Sequence, residues 1–106
     1  MNFLFICSRN QWRSPTAEVV YKNHSGINVK SAGTEPSARI KLNAKMIEWA
    51  DIIFAMEKKH KQRITEKFRS EILQKQIVVL DIPDEYQFME EELVEEIKAK
   101  VDLYLK

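Results

Sequence analysis

The sequence predicts an α/β fold: one four-stranded parallel sheet between helices on both faces, a three-layer arrangement. Three observations carry this. Four short apolar runs, over residues 3–6, 27–32, 51–56 and 77–80, recur with helical patterns between them. The first and third of these runs are apolar at nearly every position, as strands are when helices cover both sides of a sheet. Strands alternating with helices favour parallel pairing through right-handed crossovers. A chain of 106 residues is one domain, spanning residues 1–106, with enough length for a single core.

The first strand stops abruptly at Cys7, the only cysteine, and a polar loop follows. A helix is expected to open with Ser14 as N-cap, Pro15 in the first helical position and Glu18 completing a capping box. It runs to about His24, with Ala17, Val20 and Tyr21 on one face, until Ser25-Gly26 breaks it. Residues 27–32 form the second strand, ended by Gly33. After the Glu35-Pro36-Ser37 loop, residues 38–49 are expected to be helical, turning Ile40, Leu42, Ala44 and Ile47 inward. Residues 51–56 form the third strand, and a strongly charged helix over 57–68 turns Ile64 and Phe68 inward. Its Lys58-Lys59-His60-Lys61 run reads as a solvated face, with His60 on the surface or packing between helices and outside the chemistry. Residues 69–76 form a polar connection to the fourth strand, residues 77–80. The last helix, 89–105, buries Leu93, Val94, Ile97, Val101 and Leu105 at three- and four-residue spacings.

Chemistry concentrates between the first strand and the first helix. Five residues separate Cys7 from Arg13, and Ser14 follows. A loop of that length can wrap around one tetrahedral oxyanion, its N–H groups facing inward and the following helix offering its positive end. The planar fork of Arg13 grips two phosphate oxygens at once. A sulfur ringed by such donors is stabilised as the thiolate, its nucleophilic form. The same donors stabilise a phosphoryl group in transfer. Open α/β sheets bind ligands at the carboxyl ends of their strands, where this loop lies. A leaving oxygen also needs a proton, which a carboxylic acid above the pocket can supply. The segment after the fourth strand offers Asp81 and Asp84.

This segment resembles the active-site loop of the low-molecular-weight protein tyrosine phosphatases, Cys-x-x-Asn-x-x-Arg-Ser-Pro followed by Ala-Glu. The chain has Cys7, Asn10, Arg13, Ser14, Pro15, Ala17 and Glu18 at those places. The likeness continues in Ser31-Ala32-Gly33-Thr34, in Ala50-Asp51-Ile52-Ile53 with Met56 and His60, and around Asp84. It implies a sheet order of 2-1-3-4 and a cysteine-dependent, metal-independent hydrolase of phosphomonoesters, protein phosphotyrosine foremost, with a phosphocysteine intermediate. Cys7 would be the nucleophile and Arg13 the clamp on the transferred group. Asp84, in the register Pro83-Asp84-Glu85-Tyr86, would be the general acid, with Asp81 second to it. Ser8, Arg9, Asn10, Gln11, Trp12, Arg13 and Ser14 would form the phosphate and substrate site, flanked by Tyr86. Asn10, Ser14 and Ser31 would support the loop, Ser31 from beneath, with Asn10 suited to the left-handed backbone of a tight turn.

The chain departs from that pattern at its rim. Arg9 stands where the family usually has glycine, and Ser8 and Gln11 stand where apolar residues are common. Trp12 takes a place that holds a second cysteine in some members, so no loop disulfide forms. The segment from Thr34 to Ala38 is much shortened, without an aromatic recognition loop, and Pro36 stands near the place of a supporting histidine. Phosphatase chemistry therefore fits better than strict tyrosine specificity. A phosphorylated protein or a small phosphate ester is the expected partner.

Composition narrows the classes. The chain is 44% hydrophobic and 31% charged with a formal net charge of +1, which gives no global attraction to nucleic acid or membrane. A nucleic-acid phosphate is therefore a less favoured alternative, kept open by Arg9. One cysteine excludes an internal disulfide, fits a reducing compartment, and counts against the cysteine relay of the related arsenate reductases. A phosphoryl carrier needs neither Arg13 nor Asp84, and a non-catalytic oxyanion-binding module is the remaining rival. No apolar run approaches a membrane span and the 1–6 segment is too short for a signal peptide, so a cytoplasmic protein is expected. The chemistry calls for no cofactor and no metal.

Overall fold

The computed structural model describes residues 1–105. Four strands, β1 (Asn2–Cys7), β2 (Asn28–Gly33), β3 (Ile52–Ala55) and β4 (Gln76–Val79), form one sheet in the order β2-β1-β3-β4, every neighbouring pair parallel. Both the class and the order match the expectation. Five helices accompany them: α1 (Arg13–Tyr21), α2 (Ala44–Trp49), α3 (Lys58–Lys67), α4 (Arg69–Ile72) and α5 (Glu91–Val101), with a 3₁₀ turn over Asp102–Tyr104.

Alternation along β1 builds the two halves of the core. Phe3, Phe5 and Cys7 face α1 and α5, where Ala17, Tyr21, Leu93, Ile97 and Val101 cover them. Leu4 and Ile6 face the other side, under Leu42, Ile47 and Ile64, with Phe68 and Ile72 packed against them. The Phe5 ring lies between those of Phe54 and Tyr21, at centroid distances of 5.1 and 6.0 Å. Burying each such side chain contributes about 1.5–3 kcal/mol. β1 is thus a fully buried central strand, and its register sets Cys7 opposite Gly33 at the carboxyl edge of the sheet. The chain runs from β1 to β2 on one side and then crosses over to β3 on the other. That makes the end of β1 the topological switch point, where α/β sheets bind ligands.

Several boundaries differ from the sequence expectation, each for a tertiary reason. α1 opens at Arg13 with Trp12 in the cap position and no side-chain cap. Ser14 and Glu18 form no capping box, because the Ser14 hydroxyl turns to Cys7 and Asn10 while Glu18 accepts from Ser31. α2 is half the expected length. Residues 38–42 are held out of the helix by backbone bonds from Gly33 to Ile40, from Leu42 to Gly33 and from Arg39 to Arg9, and Asn43 then caps the helix through Met46 N–H. A short helix, α4, replaces the polar connection over 69–72. α5 starts at Glu91 because Met89 sits at φ 61°, outside helical geometry. β2 and β4 are each displaced by one residue. No helix among the described residues is long and apolar enough to cross a membrane.

Candidate active site

The β1–α1 loop closes over its own polar residues. Asn10 takes the left-handed conformation expected of it, at φ 56°. Its buried side chain donates to Ser14 Oγ at 2.8 Å and to Ser31 Oγ at 2.9 Å, so the support role read for Ser31 has its contact. Ser31 in turn donates to Glu18. Ser14 Oγ accepts from Asn10, lies 3.0 Å from Cys7 Sγ and has the Ala32 carbonyl oxygen 3.5 Å away on its other side. Gly33 lets β2 approach this loop. A Cβ there would come within 2.6 Å of the Ser8 carbonyl oxygen and 2.6 Å of Ala38 Cβ.

Arg13 is 2% exposed, and its guanidinium is held along one edge. Nη1 donates to Glu57 Oε2 at 2.6 Å and to the Ile82 carbonyl at 2.9 Å. The second bond ties the guanidinium to the segment that carries Asp84. Nε and Nη2 have no hydrogen-bond partner among the described residues, and Asp84 Oδ1 stands 3.7 Å from Nε. That open edge matches the two-oxygen grip a phosphoryl group requires.

Cys7, Ser8, Arg9, Gln11, Trp12, Arg13 and Asp84 line one pocket of about 290 Å³, joined by Glu35 and Lys59. Asn10 and Ser14 lie beneath it as loop supports. Arg9 Nε pairs with Glu35 at 3.3 Å on the rim, and Trp12 stands 43% exposed beside them. One expectation is corrected. Tyr86 does not flank the pocket: its ring is half-buried against the core on the α1/α5 side. Asp81 lies apart, lining a separate surface depression with Glu57, Lys58, Lys59 and Pro83, while Asp84 lines the pocket.

The sequence reading missed the layer behind the loop. His60 is fully buried, not on a solvated face. Its Nδ1 accepts from Glu57 N–H at 3.0 Å, and its Nε2 lies 2.9 Å from Ser8 Oγ. Burial, with the Arg13 charge nearby, pushes its pKa down to about 4, so the ring is neutral. Partial burial by itself would raise the Glu57 carboxyl. The hydrogen bond and charge of Arg13 outweigh that and hold it below the usual range. Glu57 also accepts from His60 N–H, closing a reciprocal capping box at the start of α3. A Glu-x-x-His pair directly after an apolar strand was the available signal, since that place is also the carboxyl edge of the sheet.

No protein-family model matches the chain. A curated relative, a protein-arginine-phosphatase of Bacillus subtilis (strain 168), aligns over 95 positions at 30% identity, covering 64% of this chain and 63% of the relative. The match therefore spans less than two thirds of that relative's own length. Among solved structures, a YwlE mutant from Bacillus subtilis superposes with a TM-score of 0.74 at 21% identity, covering 100% of this chain and 99% of that one. A YwlE arginine phosphatase from Geobacillus stearothermophilus gives 0.69 at 24% identity, over 96% and 84% of the two chains. A low-molecular-weight protein tyrosine phosphatase from T. tengcongensis gives 0.74 at 21%, over 97% and 94%. The chain has the fold of the low-molecular-weight protein tyrosine phosphatases and carries that family's Cys-x5-Arg-Ser-Pro loop at the end of its first strand.

Proposed function

We propose that this protein is a cysteine-dependent phosphatase acting on phosphorylated side chains of proteins. One observation carries the reading: Cys7, the open edge of Arg13 and Asp84 converge on a single pocket at the carboxyl end of the sheet. In the proposed cycle the Cys7 thiolate attacks phosphorus in line. Arg13 and the loop amides hold the phosphoryl oxygens, and Asp84 gives its proton to the departing atom. Water then attacks the phosphocysteine, Asp84 takes a proton from it, and inorganic phosphate leaves with the thiolate restored. Arg13 and the amides fill the electrostatic role, so the cycle calls for no metal.

The rim supports phosphoarginine as the side chain, rather than the phosphotyrosine expected from the sequence. Tyr86 packs half-buried against the outside of the core, and Trp12 is the aromatic residue that lines the pocket. Two carboxylates line the pocket instead, Asp84 beside Arg13 and Glu35 paired with Arg9 on the rim, and a cationic guanidinium leaving group would be drawn to them. The curated relative is a protein-arginine-phosphatase.

Turnover of p-nitrophenyl phosphate in the presence of a chelator tests the class, with Cys7→Ser expected to bind phosphate without turning substrate over. Wild-type protein that binds phosphate tightly and releases no nitrophenol would instead identify an oxyanion-binding module. Release of phosphate from phosphoarginine against phosphotyrosine peptides then tests the substrate. Faster turnover of the tyrosine peptides would reverse the assignment.

A further inference from the structure

We infer that the Ser8 hydroxyl is an additional hydrogen-bond donor to the bound phosphoryl group, with its polarity set by His60 acting as a positioning residue. The inference rests on the oxyanion-binding reading of the pocket and extends it to a side chain outside the loop amides and Arg13.

The argument follows the protons. The Glu57 N–H donates to His60 Nδ1 at 3.0 Å, so in the neutral ring Nδ1 is the acceptor nitrogen. The single ring proton is then on Nε2. It points to Ser8 Oγ, 2.9 Å away, and the serine oxygen accepts. A hydroxyl that accepts there still has its own proton to give. Ser8 Oγ has no other hydrogen-bond partner among the described residues, and Ser8 lines the pocket next to Cys7. The reverse polarity, with Ser8 donating to Nε2, would place the ring proton on Nδ1 against the Glu57 N–H. Burial and the neighbouring Arg13 charge exclude the doubly protonated ring at neutral pH. His60 is itself held at the third position of α3 through the capping box with Glu57, the residue paired with Arg13. One buried imidazole, fixed at its Nδ1, therefore sets the polarity of the Ser8 hydroxyl.

The tautomer is read directly by nitrogen NMR on labelled wild-type protein at neutral pH, whether or not the protein is a hydrolase. The expected result is a protonated Nε2 and an unprotonated Nδ1. Protonation at Nδ1, or an imidazolium, would overturn the inference. The donor is read from Ser8→Ala, for which inorganic phosphate should bind roughly 10- to 100-fold more weakly, the range for a hydrogen bond to a charged group. For an active enzyme, kcat/KM on p-nitrophenyl phosphate should fall alongside, with Ser8→Thr restoring both. His60→Leu should weaken phosphate binding in the wild type but add little in a Ser8→Ala background, because His60 acts through that hydroxyl. Ser8→Ala protein with wild-type phosphate affinity would sink the proposal, and would do so even for a wild type without turnover. Loss of the hydrolase reading and loss of this one are thus separate outcomes.

Discussion

Replacing Glu57 tests whether the guanidinium of Arg13 is held from outside the loop. Glu57 accepts from Arg13 Nη1 at 2.6 Å and from the His60 N–H at the start of α3, so Glu57→Ala removes an ion pair and a helix cap together. Loss of an N-cap carboxylate costs about 1 kcal/mol. The ion pair is mixed, with the arginine 2% exposed and the glutamate 31%. Exposed pairs contribute up to ~1 kcal/mol, and breaking a buried one costs ~3–5 kcal/mol, so about 2 kcal/mol is a fair value here. The sum is about 3 kcal/mol, or ~12–15 °C in the melting midpoint of a domain this size. Thermal unfolding followed by circular dichroism reads that shift, and p-nitrophenyl phosphate kinetics read the parallel loss of kcat/KM as the open edge of Arg13 loses its orientation. Glu57→Gln keeps an acceptor for both contacts and should lose about half as much. The sign with pH is also set. The folded state holds the Glu57 carboxyl below its unfolded range, so the stabilisation is present above about pH 4.3 and is lost as pH falls through the folded value. Wild type and Glu57→Gln should therefore converge in acid. A Glu57→Ala protein melting within ~2 °C of wild type, with unchanged kcat/KM, would refute the reasoning.

Asp84→Asn keeps the shape of the pocket and removes the proton, so turnover should fall by about 10²–10⁴ in steady-state assays. An Asp81→Asn protein with the larger loss would return the acid role to Asp81. Gly33→Ala forces a Cβ to within 2.6 Å of the Ser8 carbonyl oxygen, so it should cost ~1–3 kcal/mol in denaturant melts and distort phosphate binding as well. His60 is buried neutral with its pKa pushed down to about 4, so the unfolded chain takes up its proton first as pH falls. About 3 kcal/mol of stability should be lost between pH ~6.5 and 4, and chemical denaturation of His60→Gln should lack that part of the slope.

The α/β class was readable from the chain alone, and the order of the sheet followed from the resemblance of its first loop. Apolar runs at 3–6 and 51–56 read as strands covered on both faces, and the spacing of Cys7 from Arg13 singled out the loop that lines the pocket. Local patterns misled where long-range bonds competed with them. Ser14 and Glu18 spell a capping box, yet Asn10, Cys7 and Ser31 claim both side chains. Residues 38–42 look helical, yet their backbone pairs with Gly33 and Arg9, and Tyr86 packs against the core and not along the pocket.

What the sequence determined by itself was periodicity and the identity of the candidate site residues, because both are local properties of residue type and spacing. Only the tertiary structure decided which edge of Arg13 stays open, which aspartate reaches the pocket and that His60 meets Ser8. Each of those depends on a partner from 44 to 71 residues away in the chain, such as Glu57 or Asp84 against Arg13, and no local pattern encodes such a meeting.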